Sequence, residues 1–270
     1  MDKRILWSVI AVLVIGLVAI FYPRRAAEPP PAAVELPERA PAEAPDAFEV
    51  PEPEPAPSFA AEPEEPPAPL PPLDESDAEA RAALAEAAGA TLVERHLAGD
   101  SVVRKLVATV DNLSGDTLWM KTRVVPQQEG LFQVEGSEDE LYIAPANYQR
   151  YAPLVQLVDA VDASRLAAAY QRHYPLLQQA FEELGYPGRQ FHNRALAVID
   201  HLLATPVVAD PIRLVRPHVL YKYADPRLEA LSSGQKMLIR IGPENSQVIR
   251  NKLIAFRTAI KGLAGPADAE

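Results

Sequence analysis

Asp100-Ser101-Val102-Val103-Arg104-Lys105-Leu106-Val107-Ala108-Thr109-Val110 is the stretch from which the fold can be read. Its apolar residues Val102, Val103, Leu106, Val107 and Val110 recur three or four apart, forming one stripe of an α-helix, and Asp100 stands where an N-cap is expected. The same period recurs on both sides. Upstream, Ser76 with Glu79 and Thr91 with Glu94 form capping-box patterns, the first ahead of Ala80 to Ala88. Downstream, Leu154, Val155, Leu157, Val158 and Val161 mark a helix after Asn147, and a long run from Ala163 meets a natural stop at Gly185. Pro175 inside that run is expected to kink or split it. Further helices are expected over Phe191 to Leu203, after Asp225-Pro226, around Lys236 to Ile241, and from Pro243 to Leu263. Phe132, Val134, Leu141 and Ile143 alternate around Gly136-Ser137-Glu138-Asp139, which predicts a small β-hairpin. The expected fold class is mainly α: one multi-helix globular domain over residues 74–264, followed by a disordered tail at 265–270.

Ahead of this domain the chain changes character. Ile5 to Tyr22 carries no charge, and Ser8 is its one polar side chain. As a helix its eighteen residues would run about 27 Å, enough to cross a bilayer. Trp7 near one end and Phe21 with Tyr22 at the other match the aromatic preference for headgroup depth, and Pro23 stops the helix. This predicts a transmembrane signal anchor over residues 5–22, with residues 1–4 as a short cytoplasmic tail. The competing reading is a cleavable signal peptide, which would need a small-x-small cleavage site directly after the run. Lys3 and Arg4 are balanced by Arg24 and Arg25, so local charge gives little orientation. Anchors with short basic tails usually keep the tail inside. The expectation is a single-pass inner-membrane protein with its C-terminal domain in the periplasm.

Residues 23–73 read as a linker rather than a core. Units such as Pro51-Glu52-Pro53-Glu54-Pro55 and Pro63-Glu64-Glu65-Pro66-Pro67 fix φ, repel one another and bury little, so the segment is expected to be disordered and extended. Ala26 to Leu73 holds eleven carboxylates against the single Arg39, nearly all of the formal net charge of −11. The domain beyond it is close to neutral. A nucleic-acid binder needs a basic face or stripe, and the basic residues Arg240, Arg250, Lys252, Arg257 and Lys261 alternate with apolar ones, as on the wet side of an amphipathic helix. Nucleic acid is therefore not an expected partner. The chain has no cysteine, which excludes disulfides, thiolate metal sites, cysteine nucleophiles and a lipoprotein anchor.

Many short blocks occur in a recognisable order. They include Pro71-Pro72-Leu73-Asp74-Glu75-Ser76-Asp77, Val110-Asp111-Asn112-Leu113, Arg150-Tyr151, Tyr174-Pro175-Leu176-Leu177 and Glu183-Leu184-Gly185-Tyr186-Pro187. Ile199-Asp200-His201-Leu202-Leu203-Ala204-Thr205-Pro206, Leu220-Tyr221-Lys222-Tyr223-Ala224-Asp225-Pro226, Leu228-Glu229-Ala230-Leu231-Ser232 and Ile241-Gly242-Pro243-Glu244-Asn245 follow. Over nearly all of Leu73 to Leu263 the chain resembles the bacterial domain-of-unknown-function family 3014. The resemblance implies a membrane-anchored proteobacterial protein with a mainly helical domain, and it carries over no catalytic residue.

The chemical motifs are sparse. Ser233-Gly234-Gln235-Lys236 fits Ser-x-x-Lys, but its Ser-Asp-Asn and Lys-Thr-Gly companions are missing, so Ser232 or Ser233 is expected to cap a helix. His96, His173, His192, His201 and His218 include no His-Glu-x-x-His and no i, i+4 pair of histidines, so no metal and no cofactor are expected. His192 and Asp200 stand eight apart, within reach of one helix face. Tyr142, Tyr148, Tyr151, Tyr170, Tyr174, Tyr186, Tyr221 and Tyr223 interleave with Arg150, Arg172, Arg189 and Arg194. Such a set either lines a groove for a glycan strand or extended peptide, or half-buries each ring between helices. Asn112-Leu113-Ser114 reads as a helix end, and Asn147 and Pro243-Glu244-Asn245 as helix starts.

Three functions fit this pattern. The preferred one is a non-enzymatic binding or scaffolding domain held in the periplasm by an anchor and acidic spacer, with an envelope protein or glycan as partner. The second is a tethered enzyme of the cell-wall hydrolase type. The third is a cytoplasm-facing adaptor, which differs only in orientation.

Overall fold

The computed structural model describes residues 69–88, 100–116, 131–137, 140–218 and 220–261. The expected anchor over 5–22, most of the linker, the Thr91–Glu94 capping box, His96 and the 265–270 tail lie outside the described residues. A 3₁₀ turn at Leu73–Glu75 leads into α1 (Asp77–Ala88), and α2 (Val102–Asn112) follows. Strands β1 (Val134–Ser137) and β2 (Glu140–Ile143) precede α3 (Ala146–Ala160), α4 (Ala163–Glu183) and α5 (Phe191–Leu203). Strands β3 (Arg213–Val215) and β4 (Lys222–Tyr223), α6 (Pro226–Glu229), α7 (Ser233–Arg240) and α8 (Pro243–Lys261) complete the domain. Among the described residues no helix is long and apolar enough to cross a membrane.

Helices α4 and α8 share the centre: α4 packs on α8, α2 and α5, and α8 packs also on α3, α5 and α7. The stripe read from sequence in α2 is buried as expected, with Val102, Leu106, Val107 and Val110 all in the main core. Tyr170 of α4 is 1% exposed and meets Phe256 of α8 edge-on at 6.0 Å, with Phe191 and His192 of α5 beside it. Pro175 does not split α4. The proline lies on the exposed face, where water can solvate the carbonyl that loses its amide partner, while Tyr174, Leu176 and Leu177 on either side are held in the core. Gly185 ends the helix at φ 112°, its amide donating to the Glu182 carbonyl.

The hairpin is present and larger than expected. Strands β1 and β2 pair antiparallel from Val134↔Ile143 to Ser137↔Glu140, and β3 and β4 extend them into a four-stranded antiparallel sheet in the order β1-β2-β3-β4. Three helices intervene between β2 and β3. Ile143, Ile212, Leu214 and Tyr223 under this sheet form a second small core with Ile239 of α7. Met237 and Leu238, two and one residues earlier, belong to the main core. Helix α7 is thus the partition between the two cores.

Helix ends are satisfied largely from a distance, which corrects several expectations. Asp100 does not cap α2; it pairs with Lys105 at 3.1 Å. Asp77, at the start of α1, accepts the amides of Ser101 at 2.6 Å and Val102 at 2.7 Å instead. Ser101 takes φ 56°, turning its amide and the next towards that carboxylate. The Ser76 hydroxyl donates back to the Leu73 carbonyl at 2.7 Å, while Glu79 pairs with Arg172 at 3.9 Å. Arg250 and Lys252 of α8 are not on a wet face: Arg250 donates to the carbonyls of Leu203 and Thr205 at the close of α5, and Lys252 to those of Asp159 and Val161 at the close of α3. These are the orphan acceptors that every helix leaves at its C-terminus.

Two outcomes follow from these contacts. Asp77→Ala should lower stability by about 1–2 kcal/mol, whereas Asp100→Ala should leave the unfolding midpoint almost unmoved; denaturant unfolding at unchanged m would separate them. His173 is buried, with Nδ1 on the Ala169 carbonyl, and desolvation pushes its pKa down from 6.5 to about 3. The unfolded chain therefore takes a proton that the fold refuses, so stability should fall as pH drops from about 6.5 towards 3. A His173→Gln variant should show a shallower decline over that window in pH-dependent denaturation.

Candidate functional site

A cleft opens where α8 begins. It has a volume of about 350 Å³ and is lined by Pro145, Tyr148, Gln149 and Ala152 of the α3 end, Ile241 to Asn245 at the α7–α8 junction, and Asp210. Its shape comes from Gly242. At φ 89° this glycine turns the chain from α7 into α8, and a Cβ there would lie 2.5 Å from the Tyr148 ring. The ring lies flat against the turn because nothing projects from it. Pro243 then occupies the first helical position, where its missing amide is no loss.

Polar groups in the cleft are held by their neighbours. The Tyr148 hydroxyl donates to Asp210 Oδ1 at 2.6 Å. Burial first, then the Asp210 hydrogen bond and charge, raise the tyrosine pKa well above its ordinary value, so it stays a protonated donor. Asn245 Nδ2 donates to the Tyr148 and Ile241 carbonyls, tying the start of α8 to α3 and closing the end of α7. Asn245 therefore serves the junction. Gln149 and Glu244 face solvent. The cleft wall contains two carboxylates, one phenol and amide groups, and no lysine, arginine or histidine. Its chemistry is that of an acceptor-rich site suited to ammonium, amide or hydroxyl donors. A smaller recess of about 40 Å³ shares Gly242 and Pro243 and is lined by Val207, Val208, Leu238, Ile239, Ser246 and Arg250.

The motifs singled out from sequence fall elsewhere. Ser233 is 1% exposed and its hydroxyl donates to the Asn112 carbonyl, while Lys236 Nζ donates to the Glu229 carbonyl, so the Ser-x-x-Lys match holds helix ends. Ser232 is the N-cap of α7 in a full capping box with Gln235, as expected for this pair of serines. His201 Nε2 stands 2.8 Å from Ser232 Oγ, the contact of a nucleophile with its base. That serine is 6% exposed and accepts the Gln235 amide, while the Ser233 and Gly234 amides that a reaction would need are given to the Gly115 and Leu113 carbonyls. It is a structural pair. His192 and Asp200 do not meet: His192 Nδ1 contacts the Tyr170 hydroxyl at 3.1 Å, and Asp200 pairs with Arg257. No group of three or more His, Asp or Glu able to hold a metal ion occurs among the described residues.

The eight tyrosines do not line one groove. Tyr151, Tyr170, Tyr174 and Tyr223 are buried in two different cores, and Tyr186 stacks on Phe181 at 4.6 Å while donating to Asp111. Arg194 is occupied by Asp111 at 2.6 Å and by Ser114, and Arg150 donates to the Leu131 carbonyl. Asn147 is fully buried and pins residue 133 ahead of β1 through its amide rather than capping α3. Of the expected tyrosine set, Tyr148 alone lines the cleft. Asp210 and Gln149 carried no signal in sequence; Gly242-Pro243 did, as a helix stop joined directly to a helix start.

A family model described as protein of unknown function (DUF3014) matches residues 102–257. No curated protein and no solved structure matches the chain.

The junction geometry has a direct test. Gly242→Ala should destabilise the domain by roughly 1–3 kcal/mol, through positive φ and the ring contact together. Adding Tyr148→Ala should recover only the contact part, so a thermal-melt double-mutant cycle should show positive coupling between the two positions.

Proposed function

Because the chain belongs to the DUF3014 family, whose model spans more than half of its length and names no activity, we propose a function from its own residues. The protein is a non-enzymatic binding or scaffolding domain that an inner-membrane anchor at Ile5 to Tyr22 and an acidic spacer carry into the periplasm. It engages an envelope protein or glycan through the cleft at the start of α8. The observation that supports this reading is the cleft wall itself: Asp210, Glu244, Gln149 and a protonated Tyr148 face a space of about 350 Å³ without a basic group. A sugar strand or a lysine-bearing peptide would satisfy those acceptors. A phosphorylated or carboxylate ligand would be repelled.

In-cell photocrosslinking in native envelopes tests this reading. A photoreactive residue at Gln149 should capture a discrete adduct, and Glu244→Lys, which reverses an exposed charge of the cleft, should reduce it several-fold. Equal capture from the exposed Arg165, on α4, would count against the cleft. For localisation, a reporter active only in the periplasm, fused after Glu270, should give signal, and its silence would favour the cytoplasm-facing adaptor.

A second reading keeps one observation in its favour. Asp210 and Glu244 line the same cleft, and two carboxylates across a cleft are the minimum set for glycoside hydrolysis. Asp210 is already engaged by Tyr148, which favours binding over acid catalysis. On the hydrolase reading, Asp210→Asn with Glu244→Gln would abolish release of soluble fragments from purified cell wall while leaving sedimentation with it intact.

A further inference from the structure

The outer face of the sheet carries a charge pattern that the cleft does not use. In β3 the exposure alternates, so Arg213 and Val215 face outwards while Leu214 faces the small core. Lys222 of β4 pairs directly with Val215 and therefore shares its face, diagonal to Arg213. In the turn between the strands, Arg216 lies over the Tyr221 ring at 5.3 Å, and Pro217, His218 and Leu220 are exposed. From Pro211 to Ala224 the sequence contains no carboxylate. Two carboxylates share this face and border the cations: Glu135, beyond Tyr142, and the exposed Glu140, which the register places beside Val215. Val215 is 42% exposed and Leu220 45%, so aliphatic surface lies among the cations.

A basic surface with aliphatic patches calls for an anionic partner that also carries apolar groups. The chain supplies one. Glu49 to Glu65 holds Glu49, Glu52, Glu54, Glu62, Glu64 and Glu65 with no basic residue, and its apolar members include Val50 and Phe59. Alternate residues of a polyproline II chain stand about 6 Å apart, comparable to the spacing of side chains across a sheet. Reach is sufficient: the twenty-one residues from Glu49 to Pro69 span up to about 60 Å, against a domain of roughly 200 residues about 40 Å across. Because segment and surface belong to one chain, their effective concentration is millimolar, so individually weak ion pairs suffice for partial occupancy.

We propose that the acidic segment Glu49–Glu65 docks on the basic outer face of the β3–β4 hairpin, folding the spacer back on its own domain. Docking shortens the spacer at low ionic strength and releases it when salt or a competing polyanion reaches the hairpin. This inference is independent of the cleft, since no residue is shared between them, and it does not require the anchor to lie in a membrane.

The absence of cysteine makes the test direct. Ser58→Cys and Ser137→Cys would place one spin label in the segment and one on the same sheet face as the hairpin, in the full-length chain in detergent. Double electron–electron resonance should show a short-distance population at low salt that falls several-fold as the screening length drops from about 10 Å at 0.1 M to about 3 Å at 1 M. Replacing Glu52, Glu54, Glu62, Glu64 and Glu65 by Gln should remove that population without touching the domain. Arg213→Glu, Arg216→Glu and Lys222→Glu together should do the same, and lysines at the five spacer positions should restore it in that background. Identical distance distributions for the wild type and the glutamine variant would overturn the proposal. So would lipid contact of a label at Leu220 in anionic nanodiscs that the glutamine variant leaves unchanged, because it would assign the hairpin to the membrane surface.

Discussion

Every helix leaves four amides at one end and four carbonyls at the other without intrahelical partners, and in a mainly helical domain those groups must be met somewhere. Here the decisive meeting is end to end. The carbonyls of Leu113 and Gly115, at the close of α2, accept the Gly234 and Ser233 amides that open α7, and the Ser233 hydroxyl takes the Asn112 carbonyl. Gly234 is what lets the two ends meet, since a Cβ there would come 2.7 Å from the Leu113 carbonyl oxygen and 2.6 Å from Leu202. Because α7 divides the helical core from the sheet core, this junction sets where both cores lie. The cleft forms at the other end of the same helix, so its geometry also depends on that joint.

The charged residues follow the same logic. Asp77, Asp162 and Asp225 sit on helix amides, the last two at the starts of α4 and α6. Arg250, Lys252 and Lys236 sit on carbonyls. A near-neutral domain with few exposed basic stretches is therefore a consequence of construction: much of its charge is committed to backbone ends.

How much of this could be read beforehand depended on the range of the interaction. Local signals were legible: the stripe of Val102, Val103, Leu106, Val107 and Val110, the stop at Gly185, the hairpin alternation around Gly136, and the starts at Pro226 and Pro243. Strands β3 and β4 escaped notice because three and two residues give no period to count. The Asp77 cap joins positions 24 and 25 apart, and Arg250 reaches back 45 and 47, so local pattern pointed to Asp100 and to a solvent face instead. The tyrosines misled for a related reason. A ring with a polar edge fits a core and a groove equally well, and only tertiary neighbours such as Phe256 or Asp111 decide between them.

The side chains of α8 also impose an order in time. Lys252 and Arg250 close the ends of α3 and α5, which precede them by roughly fifty to ninety residues, and Ile249, Leu253, Phe256 and Ile260 fill the same core. Chains emerge from the ribosome N-terminus first, so α3, α4 and α5 appear before the groups that complete them. The domain therefore cannot finish its core until α8, its last described helix, has been synthesised.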